Sequence, residues 1–192
     1  MVSYRTNRII QRVFIALALI VLFLGIFFVA QTIINRSNNQ PIDAGKEALL
    51  KTSDGYEVSL SVRGPIVSDE DFRSYKITIS PNIRELHVYK GYKKINLDSI
   101  KLNNNLPAYE QFVYALDRAG FMDGPTNYDN KGVCATGYVY EFETIKDKKT
   151  VKGIWSSSCG NTKAISRSNL NNIVNLFLSQ IKGGESLIEE LW

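Results

Sequence analysis

The sequence has one histidine and two cysteines among its 192 residues. A single histidine excludes zinc sites that need two or more imidazoles. Two cysteines are too few for the disulfide framework of a small secreted miniprotein. The sequence also contains no P-loop, no G-x-G-x-x-G and no G-x-S-x-G motif, the signatures of nucleotide sites and of many serine hydrolases. We therefore expect a protein that is not an enzyme and that binds no metal ion or cofactor.

One long apolar run lies near the amino terminus. Residues 13–30 contain no charged or strongly polar side chain, and the run continues through two polar residues to Ile34. As a helix, the segment 13–34 measures about 33 Å, which is enough to cross a hydrocarbon core of ~30 Å. The sequence predicts a transmembrane helix over 13–34, with the lipid bilayer as a partner.

The charges around this run predict its orientation. Arg5, Arg8 and Arg12 precede it without any acidic residue, and basic residues favour the cytoplasmic side. Residues 1–12 are thus predicted as a cytoplasmic tail of a single-pass protein of the cell membrane, with the carboxyl-terminal domain outside. A cleaved signal peptide is the alternative, but its apolar region is shorter, and Phe28 occupies a position that needs a small residue.

The remaining charges nearly cancel. Without the three arginines, 20 basic residues face 19 acidic ones, so the net charge of the whole chain reports membrane topology, and we expect no nucleic-acid partner. The polar segment 35–53 contains Ser, Asn, Pro and Gly without apolar periodicity and is predicted to be a linker.

Residues 54–192 are predicted to form one extracytoplasmic domain. Apolar and polar residues alternate over 56–63, 75–80 and 84–90, which predicts three strands of an antiparallel meander. Two amphipathic helices are predicted from apolar residues at helical spacing. The first begins near Pro107 and ends at Gly120, and the second is capped by Ser168 and ends at Gly183. The apolar faces of these helices carry Tyr109, Phe112, Val113 and Leu116 in the first, and Leu170, Ile173, Val174, Phe177 and Ile181 in the second. A short amphipathic turn with Leu187, Ile188, Leu191 and Trp192 completes an α+β fold.

Between the helices lie two β-like runs, 132–143 and 151–160, joined by a charged turn. We place a two-residue turn at Lys146 and Asp147. The resulting register pairs Phe142 with Val151, Tyr138 with Trp155, and Cys134 with Cys159. Because paired strands bring opposite residues within disulfide range and the domain is predicted to lie in an oxidising compartment, we expect a Cys134–Cys159 disulfide across this hairpin.

Tyrosine is abundant, with 10 residues. The six tyrosines 89, 92, 114, 128, 138 and 140 cannot all be core residues, and a surface tyrosine supplies rigid contact area for recognition. We take Tyr89, Tyr92 and Tyr128 as the candidate binding surface. The simpler interpretation is that sheet surfaces favour tyrosine.

Four stretches resemble single-pass envelope proteins of bacteria with small genomes. They are RGPI from Arg63, FRSYKITISPN from Phe72, PAYEQFVYAL from Pro107, and GVCATGYVYEFE from Gly132 together with SSSCG. The resemblance implies a membrane-anchored architecture with a cysteine pair at matching places. It implies no activity, because that family has none assigned.

These observations favour a non-catalytic interaction or assembly module of the cell envelope, with a protein or an envelope polymer as partner. The first alternative is a binder of glycan or wall polymer, which needs exposed coplanar aromatic rings such as those of Tyr89 and Tyr92. An envelope hydrolase is the less favoured alternative, because it needs His87 to converge with acidic loop residues.

Overall fold

The structure is a computed structural model that describes residues 17, 20–25, 44–124, 129–159 and 170–192. The chain divides into two units, Met1–Ile42 and Asp43–Trp192. Residues 17 and 20–25 are helical, and the rest of the predicted span 13–34 lies outside the described residues. Within the described part of the chain, no helix combines the length and the apolar character that crossing a membrane requires.

The second unit is built on a six-stranded antiparallel sheet. Its strands are β1 Glu57–Arg63, β2 Arg73–Ile79, β3 Ile83–Lys90, β4 Ile95–Asn103, β5 Val139–Lys146 and β6 Lys149–Ser157. Their spatial order is β4-β3-β2-β1-β5-β6, and every neighbouring pair is antiparallel. The predicted meander is confirmed and gains a fourth strand, while the predicted hairpin joins it at β1.

Alternation along the strands separates an inner and an outer face of the sheet. Val58, Leu60 and Val62 of β1 are buried in the main core, as expected for a strand with one covered face. Leu60 pairs with Ile77 on one side and with Phe142 on the other, so the same core row crosses three strands.

Helices cover the inner face. They are α1 Ala44–Leu50, α2 Leu106–Arg118, α3 Leu170–Leu178 and α4 Gly184–Leu191, with a short 3₁₀ helix at Thr52–Asp54. Asn105 caps α2 by accepting the backbone N–H of Ala108 at 3.0 Å, and a proline lies in the first turn. All four residues predicted on the apolar face of α2 are buried, so this prediction is confirmed.

Aromatic rings join α3 to the rest of the core. Phe177 contacts Phe112 of α2 edge-on, with ring centroids 5.3 Å apart, and contacts Phe121 at 5.6 Å. Phe121 in turn meets Phe142 of β5 at 5.7 Å. Such pairs add roughly 0.5–1.5 kcal/mol to the area they bury. The predicted cap of this helix, Ser168, lies outside the described residues.

Helix α1 lies in the segment 35–53 that the sequence analysis assigns to a linker. Its Leu49 is only 1% exposed and belongs to the main core. Full burial of a leucine side chain contributes roughly 2 kcal/mol. The carboxyl-terminal part of this segment is therefore structurally part of the domain.

The hairpin register differs from the predicted one. The turn residues are Asp147 and Lys148, which both have positive φ, 49° and 63°, as a two-residue hairpin of type I′ requires. A bulge next to Thr144 shifts the pairing further, so Phe142 lies opposite Ile154 and not opposite Val151. The predicted pairing was wrong because the sequence pattern does not fix which two residues form the turn.

The predicted disulfide is nevertheless confirmed. Cys134 and Cys159 are bonded, with 5.5 Å between their Cα atoms. Cys134 precedes β5 and has a positive φ of 51°, and Cys159 follows β6. The bond closes the open end of the hairpin beyond its last strand pair. It packs with Val139 and Trp155 in a small second cluster, which lies on the outer face of the sheet.

Candidate binding groove

A cavity of about 410 Å³ opens between the inner face of the sheet and helices α3 and α4. We call it the aromatic groove, because four of its lining side chains are Tyr75, Tyr138, Tyr140 and Trp192. Val62, Val174, Ile188 and Glu189 complete the lining.

The floor of the groove is a row of paired strand residues. Val62 lies near the end of β1 and pairs with Tyr75 of β2 and with Tyr140 of β5. The three side chains thus point to the same face of the sheet. The hydrophobic alternation that places Val62 in the core also places both tyrosines beneath the groove.

Tyr138 is held at the rim by the segment that carries the disulfide. Its backbone N–H donates to the Ser158 hydroxyl at 2.8 Å, and its carbonyl accepts the N–H of Ser158 at 3.0 Å. Since Ser158 is adjacent to Cys159, the disulfide fixes the chain on both sides of this contact. The Tyr138 side chain is 39% exposed and is open to a ligand.

Trp192 forms the wall opposite the sheet. Its ring meets Tyr75 at a centroid distance of 5.3 Å and an interplanar angle of 69°, and Tyr138 at 5.8 Å and 43°. A Cβ on Gly64 would come within 3.3 Å of the Trp192 ring. The absence of a side chain at this position therefore leaves room for the indole next to the end of β1. The Nε of Arg73 donates to the carbonyl of Leu191 at 3.1 Å and thereby fixes the end of α4.

Two tyrosines of the groove, Tyr75 and Tyr140, have raised pKa values. Burial raises the pKa of Tyr75, which is 7% exposed, and the neighbouring Tyr140 adds to this effect. Burial likewise raises the pKa of Tyr140, with a smaller contribution from Tyr138. Among the described residues, no side chain or backbone group forms a hydrogen bond with any of these three hydroxyls. The described part of the protein therefore leaves these hydroxyls unengaged.

Charge in the groove has one sign. Glu189 is exposed on α4, and within the described part of the chain no other acidic residue and no basic residue lines the groove. The faces of the four aromatic rings also carry negative partial charge. The groove therefore favours a ligand that is neutral or cationic over one that is anionic.

The predicted surface tyrosines lie elsewhere. Tyr89 and Tyr92 line a smaller pocket of about 160 Å³, and Tyr128 lies outside the described residues. The Tyr92 hydroxyl donates to the carbonyl of Val67 at 2.8 Å, and its ring stacks on Phe72 at 4.1 Å. The ring of Tyr89 stacks with that of His87 at 6.0 Å. The structure thus brings two of the three predicted residues together.

Three charged side chains of this second pocket, those of Arg63, Lys76 and Glu141, already have partners within the protein. The Arg63 guanidinium donates to the carbonyls of Asn130 and Val133, and burial lowers the pKa of Arg63. Glu141 accepts a hydrogen bond from the Asn130 amide at 2.5 Å. Lys76 is paired with Glu143 at 3.2 Å. The contacts to Asn130 and Val133 hold the loop before β5 against the outer face of the sheet. The aromatic groove is therefore the stronger candidate for a binding site.

His87 lies on the outer face of β3, with its Nε2 3.8 Å from a carboxylate oxygen of Glu85. Asp69, one of the acidic loop residues, accepts the backbone N–H of Tyr92 at 2.8 Å. Both side chains therefore have local contacts within the fold.

Comparison with known proteins gives no family for this chain. No protein-family model matches it, and no curated protein has a matching sequence. The resemblance to bacterial envelope proteins stays a prediction, and the case for function depends on the groove.

The residues of the groove are not among the predicted site residues. Tyr138 and Tyr140 were among the six tyrosines that could not all be core residues, and their spacing of two places both on one face of a strand. Ile188 and Trp192 have the spacing of one helical face. No sequence pattern marks Tyr75 as a binding residue, because the alternation over 75–80 accounts for it as an ordinary strand residue.

Proposed function

We propose that this chain is a non-catalytic binding module of the cell envelope, and that its ligand occupies the aromatic groove. Residues 13–34 hold it in the cell membrane, with residues 1–12 in the cytoplasm and the domain outside. An anchored module raises its effective concentration near other envelope components, so that a weak groove contact suffices.

The observation that carries this proposal is the combination of apolar walls and unused polar groups in one cavity. A binding site is typically a concave apolar surface with a few polar groups that orient the ligand. Here the walls are aromatic and aliphatic, while the three tyrosine hydroxyls and Glu189 provide the polar groups. The raised pKa values of Tyr75 and Tyr140 suit hydrogen bonding rather than proton transfer near neutral pH.

Site-specific photo-crosslinking in living cells tests the proposal. A benzophenone amino acid replaces Tyr138 at the rim of the groove in one variant and Val151 on β6 in the control variant. The two positions match in exposure, at 39% and 38%, but only Tyr138 lines the groove. After irradiation, the full-length chain is purified in mild detergent and its adducts are identified by mass spectrometry.

We expect a discrete adduct at position 138 that is missing at position 151. The adduct can be a protein, an envelope polymer or a small molecule, and its mass distinguishes these three. Equal labelling at the two positions, or no adduct at position 138, would show that the groove is not a binding site in the cell.

The proposed location is tested through the disulfide. Intact cells are treated with a membrane-impermeant thiol reagent, with and without a reductant. Labelling of Cys134 and Cys159 in intact cells only after reduction is the expected result, because both thiols are bonded and lie outside. Labelling that requires cell lysis would place the domain on the cytoplasmic side.

A further inference from the structure

We propose that the aromatic groove recognises a quaternary ammonium group, a compact organic cation surrounded by Tyr75, Tyr138, Tyr140 and Trp192. This inference rests on the proposed binding function and names the chemistry of the ligand. Aromatic faces attract a cation that lies within about 6 Å of the ring centroid, and quaternary ammonium groups are the usual ligands of such clusters.

The angles between the rings favour a compact ligand over a flat one. Trp192 is inclined by 69° to Tyr75 and by 43° to Tyr138, with centroids 5.3 and 5.8 Å apart. Trp192 and Tyr75 meet edge to face, so the three rings present surfaces of different inclination. A sugar that stacks on coplanar rings does not find that arrangement in these three side chains.

The charge distribution favours a cation. Glu189 supplies one carboxylate at the rim, and no lysine or arginine lines the groove within the described residues. An anionic ligand would meet this carboxylate and the negative faces of the rings. A cation would interact favourably with both.

The weakly hydrated character of a quaternary ammonium suits the apolar walls. Its methyl groups can pack against Val62, Val174 and Ile188, and it gives up less hydration on entering an apolar site than a primary ammonium with its three donors. The cavity of about 410 Å³ also has room for the alkyl substituent that carries the cation.

Titration of the full-length chain with choline tests the inference. The protein is kept in a polyoxyethylene detergent, which contains neither sugar nor ammonium groups, and binding is measured by calorimetry and by tryptophan fluorescence. The matched control ligand is 3,3-dimethyl-1-butanol, which has the shape of choline without its charge. We expect choline to bind at least about tenfold more tightly. Equal affinity would overturn the inference.

Two pairs of variants separate ring, hydroxyl and charge. Tyr138→Phe keeps the ring and should weaken choline binding less than Tyr138→Leu, which removes the ring and should weaken it about tenfold. Glu189→Gln should weaken it about threefold to fivefold, and Glu190→Gln, on the same helix but outside the groove lining, should not. Loss of binding in Tyr138→Phe, or equal effects of the two glutamine variants, would contradict cation recognition.

Competition in the same detergent distinguishes the two sources of this chemistry. If a water-soluble short-chain phosphatidylcholine displaces choline and the matching short-chain phosphatidylglycerol does not, the source is a lipid headgroup. If neither displaces choline, the source is a soluble molecule.

The inference can fail while the proposed function stands. Photo-crosslinking at position 138 without any choline binding would retain the binding module and exclude its cationic ligand. Tight binding of a neutral oligosaccharide in place of choline would likewise refute the ammonium assignment and favour a glycan. Loss of both the crosslink and choline binding would remove the function together with the inference.

Discussion

Removal of the disulfide should destabilise the domain by an amount that the loop length determines. The bonded cysteines are separated by 25 positions in the sequence. In the chain-entropy model, a closed loop of this size restricts the unfolded chain by about 12 cal/mol/K, which is about 3.5 kcal/mol at ~298 K. The double variant Cys134→Ala/Cys159→Ala should lose approximately this much free energy of unfolding.

Urea unfolding followed by tryptophan fluorescence measures the effect. Trp155 is buried in the cluster that contains Cys134, so its emission reports on this end of the hairpin. With a urea dependence of ~2 kcal/mol/M, the midpoint should fall by roughly 1.5–2 M. The wild-type chain in the presence of a reductant should show the same midpoint as the variant.

The variant itself should not respond to reductant, which is the internal control. A shift of less than about 0.5 M in both the variant and the reduced wild type would refute the argument. Such a result would mean that the hairpin contacts alone restrict the unfolded chain, or that the two cysteines are not bonded in the protein.

Three further changes should alter stability by known mechanisms. Gly137→Ala should cost about 1–3 kcal/mol, because the new Cβ would lie 2.5 Å from the Ser158 Oγ and 2.8 Å from the Cys134 Sγ. Lys148→Gly should stabilise the domain by roughly 0.5–1 kcal/mol, because Lys148 has a φ of 63° in the hairpin turn, where glycine is not strained. Urea unfolding measures the effect of both variants. Burial raises the pKa of Tyr75 above its unfolded value of about 10. Its contribution to stability is therefore complete below about pH 9 and is lost above pH 10 by up to ~1.4 kcal/mol per pH unit, and Tyr75→Phe should make this alkaline fall shallower.

Each of these expectations has a contrary result. An unchanged midpoint for Gly137→Ala would mean that the loop shifts without cost, and a destabilised Lys148→Gly would exclude the type I′ turn. If stability fell equally steeply with pH in wild type and Tyr75→Phe, the Tyr75 hydroxyl would not be shielded from water in the folded state. For the pH series, thermal unfolding at constant ionic strength is the appropriate measurement.

The core strands and helix α2 were predictable because their apolar residues have one uninterrupted period. Val58, Leu60 and Val62 alternate strictly, and the buried face of α2 follows the helical spacing throughout. In both cases the same apolar side chains determine the local structure and pack in the core. The apolar pattern therefore predicts both the element and its buried face.

Strand β4 was not predicted, because a bulge interrupts its alternation. Ile95 and Leu97 have odd numbers, whereas Ile100 and Leu102 have even ones. The register shifts opposite Val88 and Tyr89, and the shift moves the apolar positions from one parity to the other. A bulge depends on the partner strand, so no period within β4 alone reveals it.

The groove was not predictable from local pattern, because its walls come from five separate segments of the chain. Tyr75, Tyr140 and Trp192 meet only when β2, β5 and the end of α4 are assembled. Each residue has an ordinary local role as a strand or helix residue. The strand order decides which tyrosines form a common surface. The register between β1 and β5 depends on both strands and cannot be deduced from the sequence of either one alone.

The strand order also determines when, during synthesis of the chain, the six-stranded sheet can be completed. Strands β1 to β4 follow one another in sequence and pair through short connections, whereas β1 receives its second neighbour only when residues 139–146 arrive. During synthesis from the amino terminus, a four-stranded sheet with β1 as an open edge would therefore precede the complete sheet, and an open edge can pair with other chains. The apolar row of β1 makes this interval the aggregation-prone stage of the folding of the domain. A factor that shields one strand until the last third of the chain has emerged would raise the folding yield without contacting the finished protein.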